Sequence, residues 1–409
     1  MIAESNGAGK FVLALNAGSS SLKFALFRMD ARPERVLSGV IEGIGQADTA
    51  LILKRRQEPA RPRRFLSACD HASGLDIVQG EILPITGAAG LSAVGHRVAH
   101  GGPRYSAPQQ VTAELLDELR HLCPLAPEHL PVEIELIEAV HARFPELRQI
   151  VCFDTAFHRD LPRVARVFPI PRSYERAGVR RYGFHGLSYQ FLLEELVRVG
   201  DPAAKKGRVI LAHFGNGASL AAVRDGVGID TSMGFTPASG LPMSTRSGDL
   251  DPGLVSYFAR TSGMTGPQFE HMVNHQSGLI GVSETSSDMR QLLAQEAQDS
   301  RAAEAVALFC YQAKKWIGSY AAALGGLDTL VFAGGIGENC PSIRSRICAG
   351  LGFLGLNLDE ARNAENEAVI STESSPVGAR VIRTDEELVI ARSTERLLES
   401  LSANKVIES

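Results

Sequence analysis

Residues 11–27 read FVLALNAGSSSLKFALF, and this stretch decides the fold that the sequence predicts. The apolar runs 11–15 and 22–27 are typical of buried strands, whereas residues 16–21 are small and polar, as in turns. The stretch therefore predicts a β-hairpin with a polar tip.

The same pattern returns in the second half of the chain, where residues 208–223 read RVILAHFGNGASLAAV. Here we expect a strand over 208–214, a turn over 215–219 and a strand over 220–223. Repeated use of one hairpin indicates a two-fold duplication of an α/β domain, although two unrelated hairpins can also look alike. The 409 residues are enough for two such domains, and a cleft between domains is a common place for an active site.

The composition predicts a cytoplasmic protein without nucleic-acid or membrane partners. The net charge is −4, and no apolar run approaches the length that spans a bilayer. A basic cluster over 54–64 contains prolines and no interleaved aromatic residues, so we interpret it as a solvated loop. The six cysteines form no C-x-x-C pair and the N-terminus lacks a secretory signal, which favours a reducing compartment.

Further apolar patterns alternate between strands and helices. We expect strands over 91–98, 149–154 and 329–333, and helices over 111–122, 132–144, 301–324 and 386–401. Ser300 is placed to cap the helix over 301–324. The strand over 149–154 delivers Asp154 to a strand end, where α/β proteins often hold working residues.

An irregular segment over 233–253, MGFTPASGLPMSTRSGDLDPG, contains the first candidate binding residue, Arg246. The segment has no helical or strand period, and irregular runs of this length rarely serve as scaffold alone. A planar guanidinium beside small residues predicts a clamp for phosphate or carboxylate. The alternative is an ordered loop in which Arg246 only pairs with Asp249 or Asp251.

Three small-residue tips are candidates for binding nucleotide phosphates: the turn that starts at Asn16, residues 215–217 and residues 334–339. One glycine-rich turn is usually only a turn, so the prediction depends on the three occurring together. None of them is a familiar nucleotide motif. Residues 4–11 lack the first glycine and the Ser/Thr of a P-loop, and residues 335–340 lack the third glycine of the dinucleotide fingerprint.

Arg97, His185 and Arg246 each lie near glycines, where little bulk shields them from a ligand. If these three side chains converge, they can neutralise a transferring phosphoryl group. Asp154 and Glu386 are then candidates to hold Mg²⁺, directly or through water. Each residue taken alone has another interpretation, because arginines and carboxylates often cap helices.

All of these motifs occur together in one known family. In chain order they are LNAGSSSLKF, GHRVAHGG, CPLAPEH, FDTAFH, YGFHG, HFGNGAS, MGFTP, TRSGDLDP, FAGGIGEN and TDEE. Over almost its whole length the chain closely resembles the acetate kinase family, within the superfamily of acetate and sugar kinases, heat-shock cognate ATPases and actin. The resemblance implies two duplicated actin-like (ribonuclease H-like) α/β domains, residues 1–153 plus 387–409 and residues 154–386. It also implies an interdomain nucleotide cleft and a homodimer.

The resemblance further implies roles for individual residues. Catalysis is associated with Asp154, His185, Arg246 and Arg97. Binding of the acid is associated with Arg97, Ala99, His129, Phe184 and Pro237. Nucleotide binding is associated with Lys23, Ser19, Ser21, His213, Phe214, Gly215, Asn216, Gly217, Asp288, Met289, Arg290, Gly335, Ile336, Gly337, Glu338 and Asn339. The Mg²⁺ ion is associated with Asn16 and Glu386.

The activity that the resemblance implies is reversible, Mg-ATP-dependent phosphorylation of acetate to acetyl phosphate, with propionate or another short acid as the alternative. Ala99 stands where acetate-preferring members commonly carry valine, which leaves room for a longer acyl chain. Glu128 occupies a usually apolar position, so we expect it to turn away or to pair with a cation. A second class is an actin-like ATPase that switches partners, and acyl-dependent ADP release with hydroxylamine as trap separates the two.

Overall fold

The computed structural model describes residues 10–18, 20–56, 62–67, 69–87 and 90–407. The strands are β1 Phe11–Gly18, β2 Ser21–Met29, β3 Pro33–Glu42, β4 Ala50–Arg55, β5 Arg64–Phe65, β6 Leu91–Val98, β7 Gln109–Gln110, β8 Arg148–Phe153, β9 Arg208–Phe214, β10 Ala218–Arg224, β11 Val227–Thr231, β12 Thr329–Ala333 and β13 Gly378–Val381. The helices are α1 His71–Thr86, α2 Ala113–Leu122, α3 Leu130–Arg143, α4 Arg163–Arg166, α5 Arg172–Arg176, α6 Gly186–Arg198, α7 Gly253–Ser262, α8 Gly266–His275, α9 Gly278–Ser283, α10 Met289–Gln295, α11 Ser300–Leu324, α12 Gly334–Asn339, α13 Pro341–Cys348, α14 Glu360–Ala364 and α15 Glu386–Ile407. Within these ranges, no helix has both the length and the apolar character that a bilayer crossing requires.

The chain divides into two compact units. The first contains Met1–Ala156 and Asp385–Ser409, and the second contains Phe157–Thr384. The sequence-based boundaries assign Asp154 and Glu386 to the second domain, whereas both lie in the first unit of the structure. The reason is local: the backbone N–H of Asp154 donates to Val98 (3.0 Å), and Glu386 accepts a hydrogen bond from Asn16 (2.9 Å).

Each unit is built around one sheet, and the two sheets share a five-strand pattern. The first sheet has the order β5-β4-β3-β2-β1-β6-β8-β7, and the second has the order β11-β10-β9-β12-β13. In the part of the first sheet with the order β3-β2-β1-β6-β8, neighbouring strands pair antiparallel on the β2 side of β1. They pair parallel on the β6 side. The second sheet repeats this arrangement around β9. The duplicated α/β fold predicted from the sequence is therefore confirmed.

The two hairpin tips are tighter than the sequence predicts. In the first hairpin, Asn16 pairs with Lys23 and Gly18 pairs with Ser21, so most of the predicted six-residue turn belongs to the strands. In the second, β10 begins at Ala218. The sequence signal failed at these ends because small polar residues are compatible with a ladder whose backbone groups are all paired.

The caps of two helices also differ from expectation. The side chain of Asp299, not Ser300, caps α11 by accepting a hydrogen bond from the backbone of Arg301 (2.9 Å). Thr112 caps α2 through the N–H of Leu115 (3.1 Å), so this helix begins two residues later than predicted. Both caps satisfy a backbone donor that the first turn of a helix leaves unpaired.

Candidate active site

The centre of the first unit is an ion pair at the ends of the adjacent strands β6 and β8. Arg97 donates from Nε (3.0 Å) and from Nη2 (2.6 Å) to the same oxygen, Oδ2, of Asp154. A third donation, from Nη1, reaches the carbonyl of Ala17 at 3.3 Å. Burial alone lowers the pKa of an arginine, but the carboxylates of Asp154 and Glu133 outweigh it and raise the pKa of Arg97. Arg97 is therefore a fixed cation.

Glu133, which the sequence analysis missed, lies beside this pair. It stands on the first turn of α3 and is 3% exposed. One carboxylate oxygen accepts a hydrogen bond from the backbone N–H of Ala99 (2.9 Å), and the other is 3.5 Å from Nη1 of Arg97. Burial raises the pKa of Glu133 to about 7, although Arg97 and Ala99 oppose the shift.

Glu386 occupies the first position of α15 and connects the hairpin tip to this region. Its carboxylate accepts from the Asn16 side-chain amide (2.9 Å). Burial and the nearby Asp154 carboxylate raise the pKa of Glu386, and the cations of Lys23 and Arg97 partly oppose them. The structure thus brings Asn16, Arg97, Asp154 and Glu386 together in one unit.

The other predicted residues of the first unit lie around this group or outside the described residues. Ser21 is half-buried and Lys23 is exposed on β2. Ser19 lies outside the described part of the chain. Ala99 is buried directly after β6, and His129 is at the N-cap position of α3. Glu128 is half-buried in the turn before α3.

In the second unit, His185 and His213 stack face to face. Their ring centroids are 4.3 Å apart with an interplanar angle of 27°. Nδ1 of His185 is 2.8 Å from the Ser219 hydroxyl, and Nδ1 of His213 is 2.8 Å from the Ser188 hydroxyl. His185 has φ +58°, a left-handed conformation rare for residues with a side chain and frequent at functional positions.

The backbone of Gly217 lies close to two nitrogen-bearing side chains. A Cβ atom at this position would be 3.0 Å from Nε2 of His185 and 3.8 Å from Nη1 of Arg246. The loop is held in place because the N–H of Ser244 donates to the carbonyl of Asn216 (3.2 Å) and the N–H of Gly215 to that of Gly217 (2.9 Å). An imidazole and a guanidinium beside bare backbone form a cradle suited to an anion.

The alternative partners proposed for Arg246 have other hydrogen bonds. Asp249 accepts from the backbone of Gly240 (2.9 Å), and Asp251 accepts from the backbone of Gly253 (2.7 Å). Both carboxylates therefore shape the irregular segment itself.

The predicted loop over 334–339 is the short helix α12. It starts at Gly334 with φ +75°, where a Cβ atom would be 2.7 Å from the carbonyl oxygen of Phe214. The Glu338 carboxylate accepts from the N–H groups of Gly334 (2.9 Å) and Thr384 (3.1 Å). Gly335 and Asn339 are exposed, so part of the helix surface is open to a ligand.

A second residue that the sequence analysis missed, Arg344, supports this helix. Its side chain is fully buried and donates to the carbonyl of Gly337 (2.8 Å), to Asn363 through both the side chain (2.7 Å) and the carbonyl (2.8 Å), and to the Asn366 side chain (2.8 Å). Burial lowers the pKa of Arg344. These four acceptors are neutral oxygens.

Some of the residues predicted to bind the nucleotide have no side chain available at the surface. They are Phe214, Met289, Ile336 and Gly337. Phe214 and Met289 are buried in the core, and Ile336 packs against it. Gly337 has no side chain, and its carbonyl accepts from Arg344. Asp288 instead caps α10 and pairs with the exposed Arg290 (2.6 Å). The side chains of Asp288 and Arg290 are therefore available to contact a nucleotide. Phe214 can contact one only through its backbone.

Phe184 is buried next to His185, and Pro237 is half-buried in the irregular segment. The carbonyl of Phe184 accepts a hydrogen bond from Nε2 of the buried His158 (3.0 Å). Burial lowers the pKa of His158 to about 4. The folded protein therefore holds this imidazole neutral.

His158 should make stability depend on pH. Between its folded pKa of about 4 and an unfolded value of about 6.5, only the unfolded chain binds the proton, so folding is weakened as pH falls. We expect the stability advantage of wild type over His158→Gln to shrink below pH 6.5, by at most about 1.4 kcal/mol per pH unit. Urea unfolding of both proteins at pH 7, 6 and 5 measures it. An advantage that stays constant would contradict the assignment.

Comparison with known proteins gives a consistent result. The model of the Acetokinase family matches residues 11–392. The chain is 44% identical to the acetate kinase of Rhodopseudomonas palustris (strain TIE-1), covering 94% of this chain and 98% of that protein. It is 42% identical to the propionate kinase of Citrobacter rodentium (strain ICC168), covering 94% and 96%. The crystal structure of Porphyromonas gingivalis acetate kinase superposes with a TM-score of 0.86 at 34% identity, covering 95% of this chain and all of that one. The chain therefore belongs to the acetokinase family.

Proposed function

We propose that the protein transfers the γ-phosphoryl group of ATP to the carboxylate of acetate, giving acetyl phosphate and ADP, and catalyses the reverse reaction. Membership of the acetokinase family implies a carboxylate and a nucleotide as substrates. The observation that carries the proposal is the cradle at Gly217, where the side chains of His185 and Arg246 lie beside glycine backbone. Such a cradle suits the charge that develops on a transferring phosphoryl group.

The chemistry is a single displacement at phosphorus. An oxygen of the acid carboxylate forms the new P–O bond, the bond to the β–γ bridging oxygen breaks, and its electron pair leaves on ADP. A carboxylate is already nucleophilic, so the protein supplies position and compensating charge. Arg97 binds the acid or its phosphate, and Asp154 orients Arg97 and the attacking carboxylate. His185 and Arg246 stabilise the transferring phosphoryl group.

The nucleotide is bound by main-chain and polar groups at three places. We assign these to His213, Gly215, Asn216 and Gly217, to α12, and to Asp288 with Arg290. We also assign phosphate binding to Ser21 and Lys23 at the first hairpin. The left-handed start of α12 and the exposure of Gly335 support this assignment, because bare backbone N–H groups bind phosphate oxygens well.

A divalent cation fits the donors of the first unit. Oδ1 of Asp154 is buried without a hydrogen-bond partner among the described residues, and Glu386 crowds the same region with a second carboxylate. The described residues contain no group of three or more His, Cys, Asp or Glu side chains suited to a metal ion. Mg²⁺ usually takes one or two carboxylates and completes its shell with water and phosphate. Asn16, Asp154 and Glu386 would hold the ion, which neutralises phosphate charge when bound.

The test is acyl hydroxamate formation with Mg-ATP and hydroxylamine, comparing kcat/KM for formate, acetate, propionate and butyrate. We expect the highest kcat/KM with acetate and a somewhat lower value with propionate. One methylene group changes the difference in transition-state free energy between two acids by only about 1–3 kcal/mol. A higher kcat/KM for propionate would assign the activity of the propionate kinase relatives, and a higher kcat/KM for butyrate would indicate a still larger pocket at Ala99. Absence of hydroxamate with every acid would contradict the kinase assignment.

We also propose a cytoplasmic homodimer. All six cysteines are free thiols, as expected in a reducing compartment. Helices α7 and α8 contain no buried residue, and α7 exposes Val255 (45%) and Tyr257 (53%), which is typical of a surface that a second copy covers.

The dimer proposal predicts that Tyr257→Lys shifts the protein toward monomer in sedimentation velocity. The control is Tyr311→Lys, because Tyr311 is similarly exposed (60%) but lies on α11. A lysine in an apolar interface leaves a desolvated charge, whereas one on a free surface costs little. A wild-type monomer, or a Tyr257→Lys dimer as stable as the control, would refute this assignment.

A further inference from the structure

Glu133 connects the first turn of α3 to the end of β6, where the acid-binding residues of the proposed function lie. Its carboxylate contacts two alternate residues of that strand end. One oxygen accepts from the Ala99 backbone at 2.9 Å, and the other is 3.5 Å from Nη1 of Arg97. At 3% exposure the carboxylate has almost no access to water. Burial of an ionised carboxylate costs free energy unless cations or hydrogen-bond donors compensate for it, so the contacts of Glu133 with Arg97 and Ala99 indicate a specific role.

The local charge is unbalanced. Arg97 carries one positive charge between two buried carboxylates, Asp154 and Glu133. Both Arg97 donations to Asp154 go to Oδ2, so Oδ1 of Asp154 and Oε1 of Glu133 have no hydrogen-bond partner among the described residues. When Glu133 is ionised, its negative charge repels an anionic substrate that approaches Arg97 and offsets part of the attraction by the guanidinium. Such repulsion is strong where water is excluded.

We propose that Glu133 is a positioning residue that sets the affinity of Arg97 for the carboxylate substrate. It holds the guanidinium and the Ala99 backbone at the acid pocket and, when ionised, weakens binding of the acid. The proposal rests on the proposed function, because it takes Arg97 as the group that binds the acid. It goes beyond that function by assigning control of acid affinity to a residue on another element.

The charge of Glu133 changes near neutral pH, because burial raises its pKa to about 7. The groups that face it are Arg97 on β6, Asp154 after β8 and Cys123 in the turn after α2. Small carboxylic acids have pKa values of about 4–5 and are at least about nine-tenths ionised at pH 6, so the charge of the substrate changes little in this range. Acid KM in the wild-type protein should therefore rise between pH 6 and pH 8, as Glu133 becomes ionised.

The experiment compares wild type, Glu133→Gln and Glu135→Gln at pH 8 and pH 6. The glutamine at 133 can still accept from Ala99 through its amide oxygen, but it carries no charge. Glu135 is exposed on the same helix, so its variant removes one charge without touching Arg97. At pH 8 we expect Glu133→Gln to lower the acid KM by about threefold to tenfold, with ATP KM unchanged. At pH 6 the difference should close, and Glu135→Gln should match wild type at both pH values.

The outcomes are distinct. A role in folding alone would lower Tm or raise the acid KM, so an unchanged or higher acid KM in folded Glu133→Gln overturns the proposal. If that variant does not fold, the wild-type profile decides: a rise in acid KM of about threefold from pH 6 to pH 8 supports the proposal, and a flat profile overturns it. If wild type phosphorylates none of the acids, the proposed function fails instead.

Discussion

Arg246→Ala is expected to lower kcat with acetate by about 10³-fold and to leave the fold intact. The guanidinium lies beside Gly217, in the cradle assigned to the transferring phosphoryl group. An arginine at such a position stabilises charge that exists only in the transition state, so its loss reduces kcat more than it raises KM. A main-chain hydrogen bond that the substitution leaves in place also holds the local backbone, because the carbonyl of Arg246 accepts from the N–H of Met243 (2.9 Å).

The measurement is hydroxamate formation at saturating ATP and acetate, with Tm as the check on folding. Arg172→Ala is the matched control, because Arg172 is an exposed arginine of the same unit on α5. Arg246→Lys adds a second comparison: it retains the charge but loses the planar fork, so intermediate activity is expected. A kcat for Arg246→Ala within tenfold of the control would remove Arg246 from the catalytic machinery.

The cradle shows which parts of the site sequence reasoning can reach. His185 and Arg246 could be singled out from the sequence because each lies in a short glycine-containing motif, and the structure places both beside Gly217. The catalytic roles of these residues and of Arg97 stay predictions. The left-handed backbone of His185 and its stacking on His213 could not be predicted, because both depend on residues far apart in the chain. Local sequence thus indicates which side chains are available, and tertiary packing decides how they are oriented.

The two residues that were not predicted, Glu133 and Arg344, belong to helices and have charged side chains that are buried in the protein. Glu133 could have been found, because it falls on the same helical face as the apolar residues Leu130, Ile134 and Ile137. A carboxylate on an apolar face is a signal of a buried partner. Arg344 gave no comparable signal, since Asn363 and Asn366, which hold it, follow some twenty residues later.

The duplication of the fold could be predicted from the sequence, but the ends of its strands and helices could not. Two hairpins of one type indicated duplication, and the shared five-strand order confirms it. The tight hairpin ends were not predictable, because Asn16 and Lys23 pair in the ladder although small polar residues are typical of turns. The helical nature of α12 was hidden for a related reason: glycine-rich sequence favours loops, and α12 depends on Glu338 and Arg344 for support.

Arg344→Met is expected to lower the free energy of unfolding by about 3–5 kcal/mol, because several buried acceptors lose their donor. The methionine fills a similar length but donates no hydrogen bond, so the carbonyl of Gly337 and the oxygens of Asn363 and Asn366 lose their buried donor. Each buried acceptor left without a partner, on Gly337 or Asn363, costs about 1–3 kcal/mol, whereas the exposed Asn366 can turn to water. The lost support of α12 should also raise ATP KM in the protein that remains folded.

Arg346→Met on the same helix separates this effect from the loss of any arginine. Arg346 is 40% exposed and pairs with Glu296 at 2.6 Å, and such a pair typically contributes about 0–1 kcal/mol. Urea unfolding of the two variants beside wild type gives the comparison directly. A loss in Arg344→Met no larger than in Arg346→Met would mean that water or a shifted side chain satisfies the four acceptors. In that case α12 would owe its position to Glu338 and the packing of Ile336, and the rise in ATP KM should be absent too.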